Sequence, residues 1–473
     1  MKLTFFGAAQ KVTGSMFLLE LADDYRVLID CGTDLDKKDT KEEEKPQYGI
    51  FPFDPSLINL VVLTHAHIDH SGQIPNLYNE GFEGQVLCTK NTLELAELLL
   101  YDAASLNQKK VKIIHGSKKR SKKQKGIDTR ELYLDRQVKH AIENFVPIGF
   151  NQKFKFKDDG YVTFIPAGHL LGAAHILFEV LDNGEKKTLC FSGDIGRKNY
   201  PLLPDPQPVP QVDYLITETT YGNRVHHDAA PPEQLLADII QKTCIDIPGR
   251  LIIPSFSVGR TQAMLFVMNK LYSNQNIKPI KVFTDSPLAK ASTKVYERSV
   301  KQLNKEAQEF KEENETLFDF ENLIYLESNV ASREVSNHGE PCIIISSSGM
   351  IQGGRVERHV EQNISNPYAT ILMIGYATEG TLGHQLLTGN RKDLSIAGKN
   401  HPVLAKIERI DAFSGHGDKN DLIRFVEQQS KAKTKKVFLV HGDIAAMKSF
   451  KETLTEKGYA NVEIPAKGQC FDL

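Results

Sequence analysis

The sequence predicts an α/β protein in which β-sheets are covered by helices and a second α/β block is inserted into the first. Short β-rich runs fill about the first 200 residues, and each ends in a polar or glycine-rich turn, as in DYRVLIDCG and KTLCFSGDIG. A predicted helix at Thr92–Leu106 intervenes. Farther along, strands alternate with helices, which is typical of a parallel sheet.

A proline-rich segment separates these two patterns. Pro201–Gln211 (PLLPDPQPVPQ) holds five prolines, which exclude regular secondary structure. After about Gly398 the chain returns to short strands that end in histidine motifs, DAFSGHGD and KVFLVHGD. We therefore expect a first domain made of residues 1–208 and 398–473, interrupted by an inserted domain at residues 209–397.

The inserted block is built from strand–turn–helix units. The strand in RLIIPSFSVG leads into TQAMLFVMNKLY, KVFTDSP leads into LAKASTKVYERSVKQL, and CIIISSSGM leads into GGRVERHVEQ. Strands that alternate with helices in this way pair in parallel, because each helix carries the chain back across the sheet.

The composition is that of an ordinary globular enzyme without a strong overall charge. The formal net charge is −2, so a polyanion would have to meet a locally positive region. Two charge runs, Asp34–Lys45 and Lys118–Lys125, predict solvated loops, and contact with a polyanion is the alternative for the strongly basic second run. No apolar run approaches the ~20 residues that cross a bilayer, and the first residues do not resemble a signal peptide. We expect a cytoplasmic protein with reduced cysteines and no membrane partner.

Three histidines and an aspartate are concentrated within six residues, directly after a predicted strand. His65, His67, Asp69 and His70 follow NLVVLT. Without a cation to join them, these side chains would repel one another or occupy core volume. Neutral imidazole nitrogens and carboxylate oxygens are ligands suited to zinc and similar divalent ions. These side chains cannot all reach one tetrahedral ion, so we expect two ions.

The other ligands that two ions require are found at the ends of other strands. His169 ends VTFIPAGH, Asp194 lies in FSGDIG, and His441 lies in VFLVHGD. Loops at one edge of a sheet scaffold are where converging ligands are usually held. The sequence therefore predicts a two-metal site at such an edge.

These motifs resemble those of the metallo-β-lactamase-fold hydrolases, whose HxHxDH signature is matched by His65–His70. The large block inserted before the last ligands is similar to that of the β-CASP ribonucleases, and the resemblance covers essentially the whole chain. It implies a metallo-β-lactamase αββα sandwich with an inserted α/β β-CASP domain whose sheet is mostly parallel.

The resemblance also implies how two Zn²⁺ ions per chain share the ligands. One ion would be held by His65, His67, His169 and Asp194. The other would be held by Asp69, His70, Asp194 and His441, so that Asp194 bridges the two. Asp30 in LIDCG would orient the ligands through hydrogen bonds.

Glu218 in TETTYGN and His416 in FSGHGD match further motifs of the family and, with Asp69, form the implied catalytic group. Two ions about 4 Å apart can share a hydroxide that attacks phosphorus in line. Because His416 holds no metal in this scheme, it could hold the scissile phosphate or protonate the leaving oxygen. Glu218 would fix and polarise it.

Two strand-to-helix turns are candidates for binding the substrate's phosphates. Ser257 and Arg260 lie in SFSVGR, and Ser347, Ser348 and Gly349 lie in SSSGM. Small residues let backbone N–H groups approach an anion, and arginine adds a fixed charge. In β-CASP proteins similar turns line the RNA cleft, which favours this interpretation over simple helix capping.

The resemblance implies a zinc-dependent ribonuclease that cuts single-stranded RNA to leave 5′-phosphate and 3′-hydroxyl ends, with the balance of endonucleolytic and 5′-exonucleolytic cutting left open. A DNA nuclease, a small thioester or lactone hydrolase and a metal-free scaffold are the alternatives. The large insertion, Glu218 and His416 argue against the small-substrate hydrolase, and the filled ligand positions argue against the scaffold. Single-stranded RNA is the expected partner, and a homodimer is left open.

Overall fold

The computed structural model describes residues 1–35, 49–116, 129–227, 230–274, 277–375, 377, 379–389 and 392–473. The charge run Lys118–Lys125 and most of the run Asp34–Lys45 lie outside these residues. Within them, no helix combines the length and the apolar character needed to cross a membrane.

Several strands follow one another between residues 145 and 218, and from residue 230 onward strands and helices mostly alternate in the described part of the chain. The strands are β1 Lys2–Phe5, β2 Phe17–Glu20, β3 Arg26–Ile29, β4 Leu60–Val62, β5 Gln85–Thr89, β6 Phe145–Ile148, β7 Lys153–Lys157, β8 Gly160–Pro166, β9 Ala174–Asp182, β10 Glu185–Phe191, β11 Tyr214–Glu218, β12 Arg250–Pro254, β13 Lys281–Asp285, β14 Leu323–Tyr325, β15 Cys342–Ser346, β16 Ala369–Ile374, β17 Asp393–Ile396, β18 Lys399–Pro402, β19 Lys406–Ile410, β20 Lys436–Val440, β21 Val462–Glu463 and β22 Gln469–Asp472. The α-helices are α1 Ile68–Ser71, α2 Ile74–Asn79, α3 Lys90–Gly116, α4 Asp135–Ile142, α5 Pro232–Ile240, α6 Arg260–Ser273, α7 Pro287–Arg298, α8 Lys305–Glu313, α9 Asn329–Glu334, α10 Val356–Asn363, α11 Leu382–Thr388, α12 Lys419–Glu427 and α13 Ile444–Glu456. Short helical turns occur at Pro55–Leu57, Thr129–Glu131, Gln241–Asp246, Val300–Gln302 and Val335–Asn337.

The chain divides into two compact units. Unit 1 contains residues 1–198, 206–225 and 416–473, and unit 2 contains residues 199–205 and 226–415. Compactness therefore places β11 in unit 1 and β18 and β19 in unit 2, whereas the predicted borders at residues 208 and 397 would place them the other way. The reason is strand pairing, since β11 pairs with β10 and β20 and β19 pairs with β16. The limits of the functional domains remain a prediction.

Unit 1 contains two seven-stranded sheets. Their strand orders are β22-β1-β2-β3-β4-β5-β6 and β21-β20-β11-β10-β9-β8-β7. In the second sheet, β10, β11 and β20 are neighbours and run parallel, so their carboxyl ends lie side by side. Neighbouring strands are about 4.8 Å apart, and residues that follow these three strands are therefore brought close together.

The two sheets of unit 1 share one hydrophobic core. Leu3, Val27 and Val62 from the first sheet pack in it with Phe178 and Ile216 from the second. On the other face of the second sheet, residues of α12 and α13 form a separate core with β10, β11 and β20. Helix α3 contacts β5 and β6 of the first sheet. The layers are helix, sheet, sheet and helix, as the predicted sandwich requires.

Unit 2 is built on a six-stranded sheet of order β14-β13-β15-β12-β16-β19, and every pairing in it is parallel. Buried isoleucines on β12, β15 and β16 make near-continuous apolar runs, which is typical of strands covered on both faces. The predicted α/β fold class with a parallel sheet is confirmed.

One local feature extends the prediction. Helix α3 runs from Lys90 to Gly116 and not only over Thr92–Leu106, because the residues after Leu106 include many good helix formers. The proline-rich segment at Pro201–Gln211 forms no helix or strand. All six cysteines are free, and Cys470 is the exposed one.

Candidate metal centre

The predicted metal ligands lie just beyond the ends of strands in unit 1. Asp194 follows β10, His441 follows β20 and His169 follows β8, while the segment His65–His70 follows β4. Glu218 is the last residue of β11, the strand between β10 and β20. The structure brings all seven predicted metal ligands together in two groups.

The first group surrounds one oxygen of Asp194. His65 Nε2 lies 3.5 Å from Asp194 Oδ2, and His169 Nε2 lies 3.4 Å from the same oxygen. His67 Nδ1 lies 3.1 Å from His65 Nε2 and 3.2 Å from His169 Nε2. Three imidazole nitrogens and one carboxylate oxygen thus converge on one point.

The second group surrounds the other oxygen of Asp194. His70 Nε2 lies 3.3 Å from Asp194 Oδ1, and His441 Nε2 lies 3.6 Å from it. Asp69 Oδ2 is 3.5 Å from His441 Nε2. The carboxylate of Asp194 therefore presents one oxygen to each group.

The arrangement fits divalent ions. Ligand atoms that bind one tetrahedral zinc at about 2.1 Å lie about 3.4 Å apart, and the nitrogen–oxygen distances above are close to this value. Asp194 Oδ1 and His441 Nε2 are buried, and neither has a hydrogen-bond partner among the described residues. Buried polar atoms without partners are costly, and an ion bound here would satisfy both.

Burial also prepares part of the group for metal binding. It lowers the pKa of His65 well below its ordinary value and lowers the pKa of His67 to about 4. Both imidazoles are therefore neutral at pH 7, which is the form that binds a metal. Burial has the same tendency at His70, but the carboxylates of Asp194 and Asp30 hold its pKa well above the ordinary value. Positive charge is favoured at that position.

Two residues behind the ligands orient them. Asp30 Oδ2 lies 2.7 Å from His70 Nδ1, which is the support predicted for this aspartate. Thr64 donates its hydroxyl hydrogen to Asp30 Oδ2 at 2.9 Å, and its Oγ1 lies 3.1 Å from His65 Nδ1. These contacts leave Nε2 of each imidazole directed into the metal centre.

Close backbone packing holds the loop that carries Asp30 against the histidine segment. A Cβ atom at Gly32 would lie 1.7 Å from the carbonyl oxygen of Asp69. The N–H of Cys31 donates to the carbonyl of His70 at 2.7 Å. A side chain at Gly32 would force the two loops apart and separate Asp30 from His70.

Glu218 and His416 form a pair beside the metal ligands. His416 Nδ1 is 3.2 Å from both carboxylate oxygens of the buried Glu218. His416 Nε2 faces the metal centre at 3.9 Å from Asp194 Oδ2. Burial would lower the pKa of His416, but the carboxylates of Glu218 and Asp194 raise it to about 8.

Three family descriptions match successive parts of the chain. The metallo-β-lactamase superfamily matches residues 10–229, and the β-CASP domain matches residues 261–386. The Zn-dependent metallo-hydrolase RNA specificity domain matches residues 400–465. A ribonuclease of Thermus thermophilus is 30% identical over 459 residues, which are 97% of each chain. The chain belongs to the β-CASP family of the metallo-β-lactamase superfamily.

Other relatives support this assignment over most of the chain. An RNase J-like protein of Methanocaldococcus jannaschii is 29% identical over 475 residues, which are all of this chain and 99% of that protein. The transcription termination factor FttA of Methanosarcina mazei is 28% identical over 450 residues, which are 93% of this chain and 67% of that protein. As a β-CASP protein with this cluster, the chain is a metal-dependent hydrolase.

The predicted phosphate-binding residues of this β-CASP protein all lie in unit 2. β12 and β15 pair in parallel, so the turns after them lie at the same sheet edge. Arg260 is buried, donates from Nη1 to the carbonyl of Ile374 at 2.8 Å, and packs over the ring of Phe256. A Cβ at Gly349 would lie 3.3 Å from Arg260 Nη1, so the two turns touch.

The serines of these turns have partners within unit 2. Ser257 Oγ is 2.8 Å from Ser286 Oγ. Ser348 donates its hydroxyl hydrogen to the carbonyl of Gln352 at 2.9 Å. Ser347 accepts from the N–H of Val356 through its carbonyl. Phosphate binding by these residues stays a prediction.

Two threonines of the β-CASP site were not singled out in the sequence. Thr64 directly precedes His65, and Thr220 follows two residues after Glu218. Thr220 Oγ1 contacts both Glu218 and His441. Threonine is too common for composition alone to indicate such a role, but its position beside a metal or catalytic motif is a usable signal.

Proposed function

We propose that the chain is a zinc-dependent ribonuclease that hydrolyses phosphodiester bonds of single-stranded RNA with two ions bound. The carboxylate of Asp194 carries the proposal, because it presents Oδ2 to one ligand group and Oδ1 to the other. A single shared carboxylate between two complete ligand groups is the arrangement that a two-ion hydrolase needs.

Ions held there would supply the Lewis acidity that activates water near neutral pH and neutralises charge on the phosphoryl group. The ligand side chains fix where that chemistry happens. His65 and His70 are held from behind by Thr64 and Asp30. Asp69 contributes a carboxylate at the same place and is proposed as a catalytic residue as well as a ligand.

His416 is proposed as the residue that holds the scissile phosphate or protonates the leaving oxygen. Glu218 accepts from its Nδ1, so the imidazole is oriented with Nε2 toward the ligand groups. Glu218 is itself fixed, because it accepts from Thr220 Oγ1 at 2.6 Å and from the N–H of Ile195. A carboxylate that orients a histidine in this way favours one tautomer.

RNA as the substrate rests on the relatives. Two of them carry ribonuclease names, and the domain matched over residues 400–465 is described as an RNA specificity domain. The buried Arg260 and the neighbouring Gly349 turn are proposed to contact substrate phosphates. Cleavage is proposed to leave a 5′-phosphate and a 3′-hydroxyl.

The test is incubation of zinc-loaded protein with end-labelled single-stranded RNA and DNA of one sequence. We expect RNA to be cut and DNA to be spared, with two zinc ions per chain by elemental analysis. Removal of the ions with a chelator should abolish cutting, and added zinc should restore it. Product ends are identified by their susceptibility to a 5′-phosphate-dependent exonuclease.

The Asp194→Asn variant tests the shared carboxylate, since it keeps the shape of the side chain and removes its charge. It should bind less zinc and cut no RNA. Cleavage of DNA at an equal or higher rate would contradict the RNA assignment. Full activity with a single bound ion would contradict the two-ion mechanism.

A further inference from the structure

The side chain of Thr220 connects the metal ligand His441 with the pair Glu218–His416. Thr220 Oγ1 lies 2.6 Å from Glu218 Oε2 and 3.0 Å from His441 Nδ1. All three residues are buried in unit 1.

The direction of these two hydrogen bonds follows from chemistry. A hydroxyl has one hydrogen to donate and can accept others. The hydrogen goes to Glu218 Oε2 at 2.6 Å and not to the carbonyl oxygen of His441 at 3.2 Å, because the carboxylate contact is the shorter one and a carboxylate is the stronger acceptor. Thr220 Oγ1 must then accept from His441, so the ring hydrogen of His441 sits on Nδ1. Its Nε2 is left with the lone pair.

That lone pair is directed at the second ligand group. His441 Nε2 is 3.5 Å from Asp69 Oδ2 and 3.6 Å from Asp194 Oδ1, and it has no hydrogen-bond partner among the described residues. A metal-binding histidine usually donates its other N–H to a fixed acceptor. Asp30 fills this place for His70, and Thr220 fills it for His441.

We infer that Thr220 is a positioning residue that sets the tautomer of His441 and couples the second metal site to the Glu218–His416 pair. This inference rests on the proposed function in taking His441 as a metal ligand. Its consequence is that one carboxylate, Glu218, governs both histidines. It orients His416 directly and His441 through a hydroxyl.

Other hydrogen bonds hold the backbone at this place, where Thr220 Oγ1 also lies 3.2 Å from the carbonyl oxygen of His441. β11 and β20 pair in parallel, with Glu218 opposite Val440. The N–H of Thr219 donates to the carbonyl of His441 at 3.1 Å, and Thr219 Oγ1 donates to the carbonyl of Val440 at 2.8 Å. Removal of the Thr220 hydroxyl should therefore leave His441 in place but free its ring to change tautomer.

The test compares Thr220→Val, which keeps the shape and loses the hydroxyl, with Thr220→Ser, which keeps the hydroxyl. Thr219→Val is the matched control, because it removes a buried hydroxyl one residue away that contacts no imidazole. Zinc affinity is measured by competition with a chromogenic chelator. We expect Thr220→Val to bind one of its two ions about 10- to 100-fold more weakly, while Thr220→Ser and Thr219→Val stay near wild type.

A second measurement observes the tautomer directly in the wild-type protein. Wild-type protein labelled with ¹⁵N at the histidine ring nitrogens should show the Nδ1–H tautomer for His441, assigned by comparison with His441→Ala. The Nε2–H tautomer would overturn the inference, as would equal zinc affinity in Thr220→Val and Thr219→Val. Wild-type protein that binds zinc but cuts no RNA would contradict the proposed function alone, since both readouts here are independent of cleavage. Wild-type protein that binds no zinc would overturn both.

Discussion

Two clusters of buried acidic and imidazole side chains lie at the carboxyl ends of strands, one in each unit. In unit 1, Asp194 and His441 each retain a buried polar atom without a hydrogen-bond partner among the described residues. In unit 2, Asp285 at the end of β13 receives hydrogen bonds on both oxygens. Arg355 Nη1 donates to Oδ1 at 2.6 Å, and His359 Nε2 donates to Oδ2 at 2.7 Å.

The difference separates a site from a structural cluster. The unit 2 cluster supplies its own positive charge through Arg355, and the hydroxyl of Ser332 also donates to Asp285. In the unit 1 cluster, the ion-pair partners of Asp69 and Asp194 among the described residues are all imidazoles. We expect a metal ion from solution to complete it. A buried carboxylate beside a histidine is therefore not by itself an indication of function.

The largest expected effect comes from Asp194→Asn, which removes the carboxylate that both ligand groups share. Cleavage of RNA should fall by more than about 1,000-fold, because the ions that stabilise the developing charge are bound weakly or lost. Zinc content and cleavage rate are measured on the same purified sample. If Asp194→Asn kept two ions and full activity, the unit 1 cluster would not be the metal centre that distinguishes it from the unit 2 cluster.

His416→Ala should have the next largest effect. It should distinguish the metal ligands of unit 1 from the residue proposed to act on the substrate. A residue that positions or protonates the substrate contributes about 10²- to 10⁴-fold to the rate. His416 belongs to neither of the two ligand groups and contacts Glu218 instead. The zinc content of the variant should therefore stay at the wild-type value. Loss of an ion from this variant, measured by elemental analysis, would mean that His416 is a ligand.

Asp285→Asn is the same chemical change in the other cluster, and it should act on stability instead. Breaking a buried ion pair leaves Arg355 and His359 without their acceptor and should lower the free energy of unfolding by about 3 kcal/mol. Zinc content should be unchanged. Urea unfolding followed by circular dichroism measures the loss.

Glu327→Gln is the control for this prediction, since Glu327 is an exposed carboxylate in unit 2 that pairs with Lys290. Its stability should stay close to wild type, because exposed ion pairs contribute little. If Asp285→Asn were as stable as Glu327→Gln, the unit 2 cluster would not be a structural element that stabilises the fold.

The smallest expected effect is a pH dependence of the stability that Asp285→Asn loses. Burial opposes ionisation of Asp285, but hydrogen bonds from His359, Ser332 and Arg355 hold its pKa below the ordinary value. The stabilisation by ionised Asp285 is therefore present above about pH 4 and declines as the pH falls through the lowered pKa. The difference in unfolding free energy between wild type and Asp285→Asn should narrow below about pH 4. A constant difference down to pH 3 would disagree with this cause.

Much of the fold class and the metal ligands could be predicted because the informative signals are local. Asp194 and His441 each follow an apolar run within three residues, and such runs are recognisable as strands without knowledge of their neighbours. The family predicted from His65–His70 is confirmed by the comparisons. The roles of the individual site residues remain predictions.

The rest depends on contacts between distant segments. Nothing in the residues around β11 indicates that it lies between β10 and β20, since strand order is set by packing over the whole unit. For the same reason Thr220 could not be recognised as a neighbour of His441. Arg260 was predicted from a turn motif, but its contact with the carbonyl of Ile374 needed the position of β16.

Thr220 and His441 lie 221 positions apart, and their contact exists only because β11 pairs in parallel with β20. Pairings of such long range form late in folding, after many local contacts. A partly synthesised or misfolded chain would hold His65–His70 without the ligand that completes the second group. We therefore expect high-affinity metal binding only after β11 and β20 have paired. Bound ions would then stabilise the fully folded unit relative to partly folded states.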